Sequence, residues 1–115
     1  MVRPLLPLPT SNWRAGDGGR QAAVEARLAV SEDGLVVGVG AWGTRVGLIW
    51  PADYEARQDA DGRVEIVRWD GQVVLREGDW FRCGGASTAP TEQDIAASAV
   101  GAFRMEDEPV HTDAK

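Results

Sequence analysis

Few side chains in this sequence could carry out covalent or acid–base chemistry, and their spacing limits what each can do. The single histidine, His111, stands beside Thr112 and Asp113 near the end of the chain. A catalytic imidazole needs a rigid supporting shell. Residues 105–115 are acidic and read as a disordered tail, so none is predicted there. Asp59-Ala60-Asp61-Gly62 opens like a calcium loop. An EF-hand requires glycine at its sixth position and glutamate at its twelfth, whereas Gly62 falls at the fourth, so a β-turn is the better reading. Gly38-Val39-Gly40-Ala41-Trp42-Gly43 imitates a nucleotide-binding loop. Such a loop must follow a strand and open a helix, and here it falls inside a predicted hairpin. Cys83 is the only cysteine. It leaves no intrachain disulfide and no cysteine-based metal cluster, and it reads as a small core filler. Ser87 and Thr88 have no nearby base to activate a hydroxyl. The sequence therefore assigns no catalytic residue, metal ligand or cofactor, and the chain reads as a non-enzyme.

Recognition by large side chains remains. Five tryptophans in 115 residues are many for an acidic chain, and Trp and Arg dominate binding hot spots. Val67, Trp69, Val74 and Trp80 are expected on one outer face, with Arg76 and Arg82 at its border. An apolar patch edged by arginines is typical of a partner surface. The competing expectation is that residues 86–104 cover it. The leading functional reading is an interaction module that docks a protein partner or its own copy through this patch. The alternative is a barrel that binds a small ligand or oligosaccharide in a groove lined by Trp.

Placing those residues depends on the hairpins. Asp33-Gly34, Gly43-Thr44, Ala60-Asp61-Gly62 and Asp70-Gly71 each sit between apolar runs of strand length. Turns of this kind fix strand pairing, and pairing fixes faces. A first strand, 22–31, alternates Val24, Ala26, Leu28 and Val30 with smaller or charged residues. A two-residue Asp33-Gly34 turn would set Leu28 opposite Val39, and a two-residue Gly43-Thr44 turn would set Val39 opposite Leu48 and Trp42 opposite Arg45. The last pair allows a cation–π contact. Pro51 ends the third strand. The loop at 60–62 sets Arg57 against Glu65 and Ala56 against Ile66. The turn at 70–71 sets Glu65 against Arg76, Ile66 against Leu75 and Val67 against Val74. A three-residue loop at 77–79 puts Phe81 and Cys83 inside. Leu28, Val39, Leu48, Trp50, Ile66 and Leu75 should share one continuous inner face.

These elements predict an all-β protein, a small antiparallel barrel of about six to seven strands over residues 21–85. A flexible Pro/Gly-rich arm, 1–20, precedes it. A linker and short helix, 86–104, follow, with Thr91 as the cap and Ile95, Ala99 and either Ala102 or Phe103 on one stripe. The net charge of −6 disfavours nucleic acid as a partner. No 18-residue apolar run is present, so no membrane span is expected. Residues 1–9 are too proline-broken for a signal peptide, and a cytoplasmic location is expected.

Leu48-Ile49-Trp50-Pro51, Tyr54, Asp61-Gly62-Arg63-Val64, Asp70-Gly71-Gln72-Val73-Val74, Glu77-Gly78-Asp79 and Gly84-Gly85 form a pattern over about 40 residues. It resembles small, functionally unassigned β-barrel domains of high-GC Gram-positive bacteria, some of them lipoproteins. The resemblance implies a barrel related to the oligonucleotide/oligosaccharide-binding type and carries over no catalytic residue. From residues 1–9 this chain is expected to depart from the lipoprotein members, which carry a signal peptide and a lipid-attachment cysteine.

Overall fold

The computed structural model describes residues 5–14 and 22–112. Its elements are β1 (Ala22–Val30), β2 (Val36–Val39), β3 (Arg45–Ile49), β4 (Glu55–Gln58), β5 (Val64–Val67), β6 (Val73–Arg76), β7 (Trp80–Thr88), α1 (Glu92–Ala96), β8 (Ala102–Met105) and β9 (Val110–Thr112). Five strands close a barrel in the order β1-β2-β3-β8-β7, with β7 returning to β1. β3 and β8 run parallel, and the other barrel pairings are antiparallel. β9 extends the sheet along the first residues of β7. β4, β5 and β6 form a separate three-stranded sheet inserted between β3 and β7.

One core joins the two sheets. Leu28, Val36, Leu48, Trp50, Phe81 and Met105 from the barrel pack with Tyr54, Val64, Ile66 and Leu75 from the insert. Burying each large side chain of this kind contributes roughly 1.5–3 kcal/mol, which lets short strands hold together.

Four hairpin loops share one geometry. In each, the residue before the loop donates its N–H to the carbonyl four residues on, and the loop glycine donates back: Ser31 with Leu35 and Gly34, Gly40 with Thr44 and Gly43, Asp59 with Arg63 and Gly62, Arg68 with Gln72 and Gly71. The glycines take φ of 80–90°. The preceding Asp33, Asp61 and Asp70 do not take positive φ, as a type I′ turn would require. These are three-residue loops, a type I turn closed by a left-handed glycine.

The expectation of two-residue turns at 33–34, 43–44 and 70–71 is corrected accordingly. Leu28 faces Gly38 and Val30 faces Val36, while Val39 faces Arg45. The one-residue slip turns β2 over. Val36 enters the main core, Val37 joins Leu35 and Ala97 in a smaller cluster, and Val39 is only half-buried. Gly38 faces inward, because a β-carbon there would sit 3.1 Å from that of Ala26. Val46 and Leu48 of β3, and Trp50 just after it, keep their expected inward side. Trp42 is 96% exposed. Arg45 turns away from it to donate to the Ala97 carbonyl at 2.9 Å, so the expected cation–π pair is replaced. The pairs Ala56–Ile66, Arg57–Glu65, Glu65–Arg76 and Ile66–Leu75 form as expected. A bulge after Ile66 then sets Val67 against Val73 instead of Val74.

The segment after β7 also differs. Thr91 caps α1 in a reciprocal box with Asp94, but the helix is five residues long, and Ile95 is 63% exposed. Ser98 takes φ of 64°, which ends the helix. Val100 and Gly101 then hydrogen-bond to Arg45 and Gly47, and Phe103 enters the core from β8 instead of from a helical stripe. The barrel therefore extends past residue 85. Gly47 leaves room for Asp94, whose carboxylate would lie 2.1 Å from an added β-carbon. Residues 5–14, expected within a free arm, lie along the protein. Leu5 and Leu8 pack on the core, and Thr10 bridges to Trp50. The rest of that arm, 1–4 and 15–20, and the tail end, 113–115, lie outside the described residues.

Candidate functional site

The segment after β3 builds a cleft. Trp50 donates to the Pro9 carbonyl and accepts from Ser11, and Ala52 donates to the Trp13 carbonyl. These bonds pin the arm to the end of β3 and set the Trp13 indole beside the 51–54 turn. Pro51 cannot continue the ladder. Asp53 takes φ of 65°, a left-handed conformation that Asp tolerates better than most residues. The reversal drives Tyr54 inward, where its ring stacks on Trp50 at 6.1 Å. From the other side comes the β5–β6 loop, carrying Trp69. From the chain after β8 comes Glu108. The half-open cleft between them has a volume of about 350 Å³ and is lined by Trp13, Arg14, Pro51, Ala52, Asp53, Tyr54, Trp69 and Glu108.

Tyr54 is 4% exposed, and its hydroxyl has no hydrogen-bond partner among the described residues. Burial, and secondarily the nearby Glu108 charge, push its pKa up to about 12, so the group stays a neutral donor. Trp69 is 59% exposed. The Arg68 guanidinium lies over its ring at 5.5 Å and is held there by two 2.7 Å bonds to Asp70. That hydrogen bonding keeps the Asp70 carboxyl below its usual range. Charges around the cleft are partly compensated: Asp53 pairs with Arg14, and Arg68, already bonded to Asp70, lies 3.9 Å from Glu108.

A second cavity of about 440 Å³ lies on the other side of the same turn, lined by Pro7, Leu8, Thr10 and Glu55, with Asp53 and Tyr54 shared. A third, about 380 Å³ and mostly apolar, sits at the opposite end of β3 between Val24, Val46, Val100 and Phe103.

The six residues expected to form one outer patch are dispersed. Val67 is 8% exposed, and Val74 packs on the core, because the bulge at Ile66/Val67 re-aims β6. Arg76 bonds Glu65 at 3.2 Å, with Arg57 on the opposite side of the same carboxylate. Trp80 and Arg82 belong to the other sheet, where β7 pairs with β1 and β9. Only Trp69 of the six lines the cleft. Trp13, Arg14, Asp53, Tyr54 and Glu108 were not singled out from sequence as site residues. Their one local signal was the Trp50-Pro51 stop followed by Asp53 and Tyr54.

Cys83 is buried, and its thiol donates to the Asp107 carbonyl at 3.2 Å. Burial raises its pKa to about 12, so it is a poor nucleophile. His111 lies in β9, 3.8 Å from Asp79. Among the described residues no three His, Cys, Asp or Glu side chains converge as a metal site. No helix among them is long and apolar enough to cross a membrane. Compared with known proteins, the chain matches no family model, no curated protein and no solved structure.

Proposed function

We propose that this chain is a non-catalytic binding module whose cleft between the arm, the 51–54 turn and the β5–β6 loop takes a small molecule. The observation that carries the reading is a cavity walled by two indoles and Tyr54, a residue whose buried hydroxyl has no partner among the described residues. A buried polar group without a partner is costly, and a ligand acceptor would relieve that cost. Apolar walls with a few convergent polar groups are the usual make-up of small-molecule sites. The five-strand closure is consistent with a barrel of the oligonucleotide/oligosaccharide-binding type, although a barrel class alone selects no ligand. A fragment-library screen by NMR on the full chain tests the reading. Hits should shift the Trp69 indole N–H and the amides of 52–54. A screen whose hits all map elsewhere refutes it.

A second reading, docking of a protein partner or a second copy, is favoured by a different observation. Trp42 stands almost fully exposed on the β2–β3 loop, near the apolar cavity at the far end of β3. Under that reading Trp42→Ala weakens association and leaves fragment binding at Trp69 unchanged.

A further inference from the structure

We infer that the ligand of this cleft is a neutral saccharide, with one sugar ring stacked on Trp69 and hydrogen-bonded to Tyr54 and Asp53. The inference rests on the small-molecule reading above and adds the chemical class. Charge is the first argument. The two carboxylates lining the cleft have guanidinium neighbours: Arg14 pairs with Asp53, and Arg68, shared with Asp70, lies 3.9 Å from Glu108. A cation would meet those guanidinium groups, and an anion would meet the carboxylates. A nucleotide needs unmatched positive charge for its phosphate. A neutral ligand is the one that need not break either pair.

Donor and acceptor chemistry is the second argument. Tyr54 supplies a hydroxyl donor with no partner among the described residues, and Asp53 and Glu108 supply acceptor oxygens. Adjacent ligand hydroxyls, which donate and accept at once, suit this mixture. A purely apolar ligand would bury those groups unsatisfied, at a cost.

Shape is the third. Arg68 lies over one face of Trp69, and its 59% exposure leaves indole surface open to solvent. The C–H face of a pyranose is apolar and flat enough to pack on an indole.

The test is a chemical-shift titration of the full chain with cellobiose, maltose and N,N′-diacetylchitobiose, with choline and inorganic phosphate run alongside. At least one disaccharide should move the Trp69 indole N–H and the amides of 52–54, while choline and phosphate leave them still. Trp69→Ala should weaken that disaccharide at least about tenfold, the scale of losing one aromatic stacking platform. Asp53→Asn, which keeps a residue tolerant of positive φ, should weaken it without unfolding the chain. Choline or phosphate moving these signals while no disaccharide does overturns the saccharide assignment. So does a cleft that binds library fragments but none of the three disaccharides, and in both cases the small-molecule reading stands. Disaccharide shifts confined to other residues also overturn the assignment.

Discussion

Tyr54→Phe should make the empty protein more stable, which is unusual for a change at a well-packed core residue. The substitution keeps the ring, its stacking on Trp50 at 6.1 Å and its burial. It removes only the hydroxyl, which has no partner among the described residues. A buried hydroxyl left unsatisfied costs about 1–3 kcal/mol. The small void left by its removal offsets part of that gain, roughly 1 kcal/mol for a methyl-sized space. A net stabilisation of about 1 kcal/mol follows. Unfolding entropy of about 2.1 cal/mol/K per residue over 115 residues gives about 240 cal/mol/K, so Tm should rise by about 4 °C. Differential scanning calorimetry of the two full chains at neutral pH reads this directly. The same variant should bind fragments at the cleft more weakly, because it has lost the donor that a ligand would engage. A fall in Tm of several degrees would mean that the hydroxyl is satisfied in the free protein. The reasoning that identifies the cleft as a site would then fail with it.

Other consequences are open to the same methods. Leu28→Ala should destabilise by roughly 2–5 kcal/mol, since Leu28 is fully buried in the core shared by both sheets; urea unfolding measures it. Gly85→Ala should abolish cooperative folding or cost several kcal/mol by overpacking, because its β-carbon would lie 2.0 Å from the Arg104 carbonyl oxygen across the β7–β8 pair. The chain should lose stability as pH rises from about 9 to 12. Tyr54 and Cys83 hold their protons up to about 12 when folded but release them near 10 and 9 when unfolded. The unfolded state therefore binds fewer protons in that window, and alkali favours it. Thermal melts across the window should show the slope flattened in Tyr54→Phe and Cys83→Ala, and an unchanged slope in both would contradict the burial of these groups.

The sequence carries the insert more clearly than the barrel. Asp59 precedes its loop, and its carboxylate bonds the amides of Asp61 and Arg63 at 2.9 Å. That side-chain cap is a type I signature, so the 60–62 loop length and the β4–β5 register are legible. Ser31 plays the same part for Leu35 at 3.1 Å, but Asp33-Gly34 also fits a two-residue turn, and the dipeptide alone does not choose between them. The choice turns over β2, and with it Val36, Gly38 and Val39. The strand β8 was hidden for a different reason. Ala102 and Phe103 continue a plausible helical stripe from Ile95, and only the parallel seat beside β3 makes them a strand. The cleft could not be read at all from local pattern. Its residues come from four separate stretches, 13–14, 51–54, 69 and 108, and no periodicity links an arm to a tail. Composition pointed to Trp as the side chain of interest and to Trp69 in particular, but assigned it to a flat patch instead of a cavity wall.

A crystal structure of the full chain with the tightest-binding fragment from the screen bears most directly on the central claim, that this cleft is a ligand site. The account predicts a fragment between the Trp13 and Trp69 indoles, with a polar atom within hydrogen-bonding reach of Tyr54 Oη. A fragment seated instead in the apolar cavity near Trp42, with the Tyr54 hydroxyl still unpartnered, would contradict it.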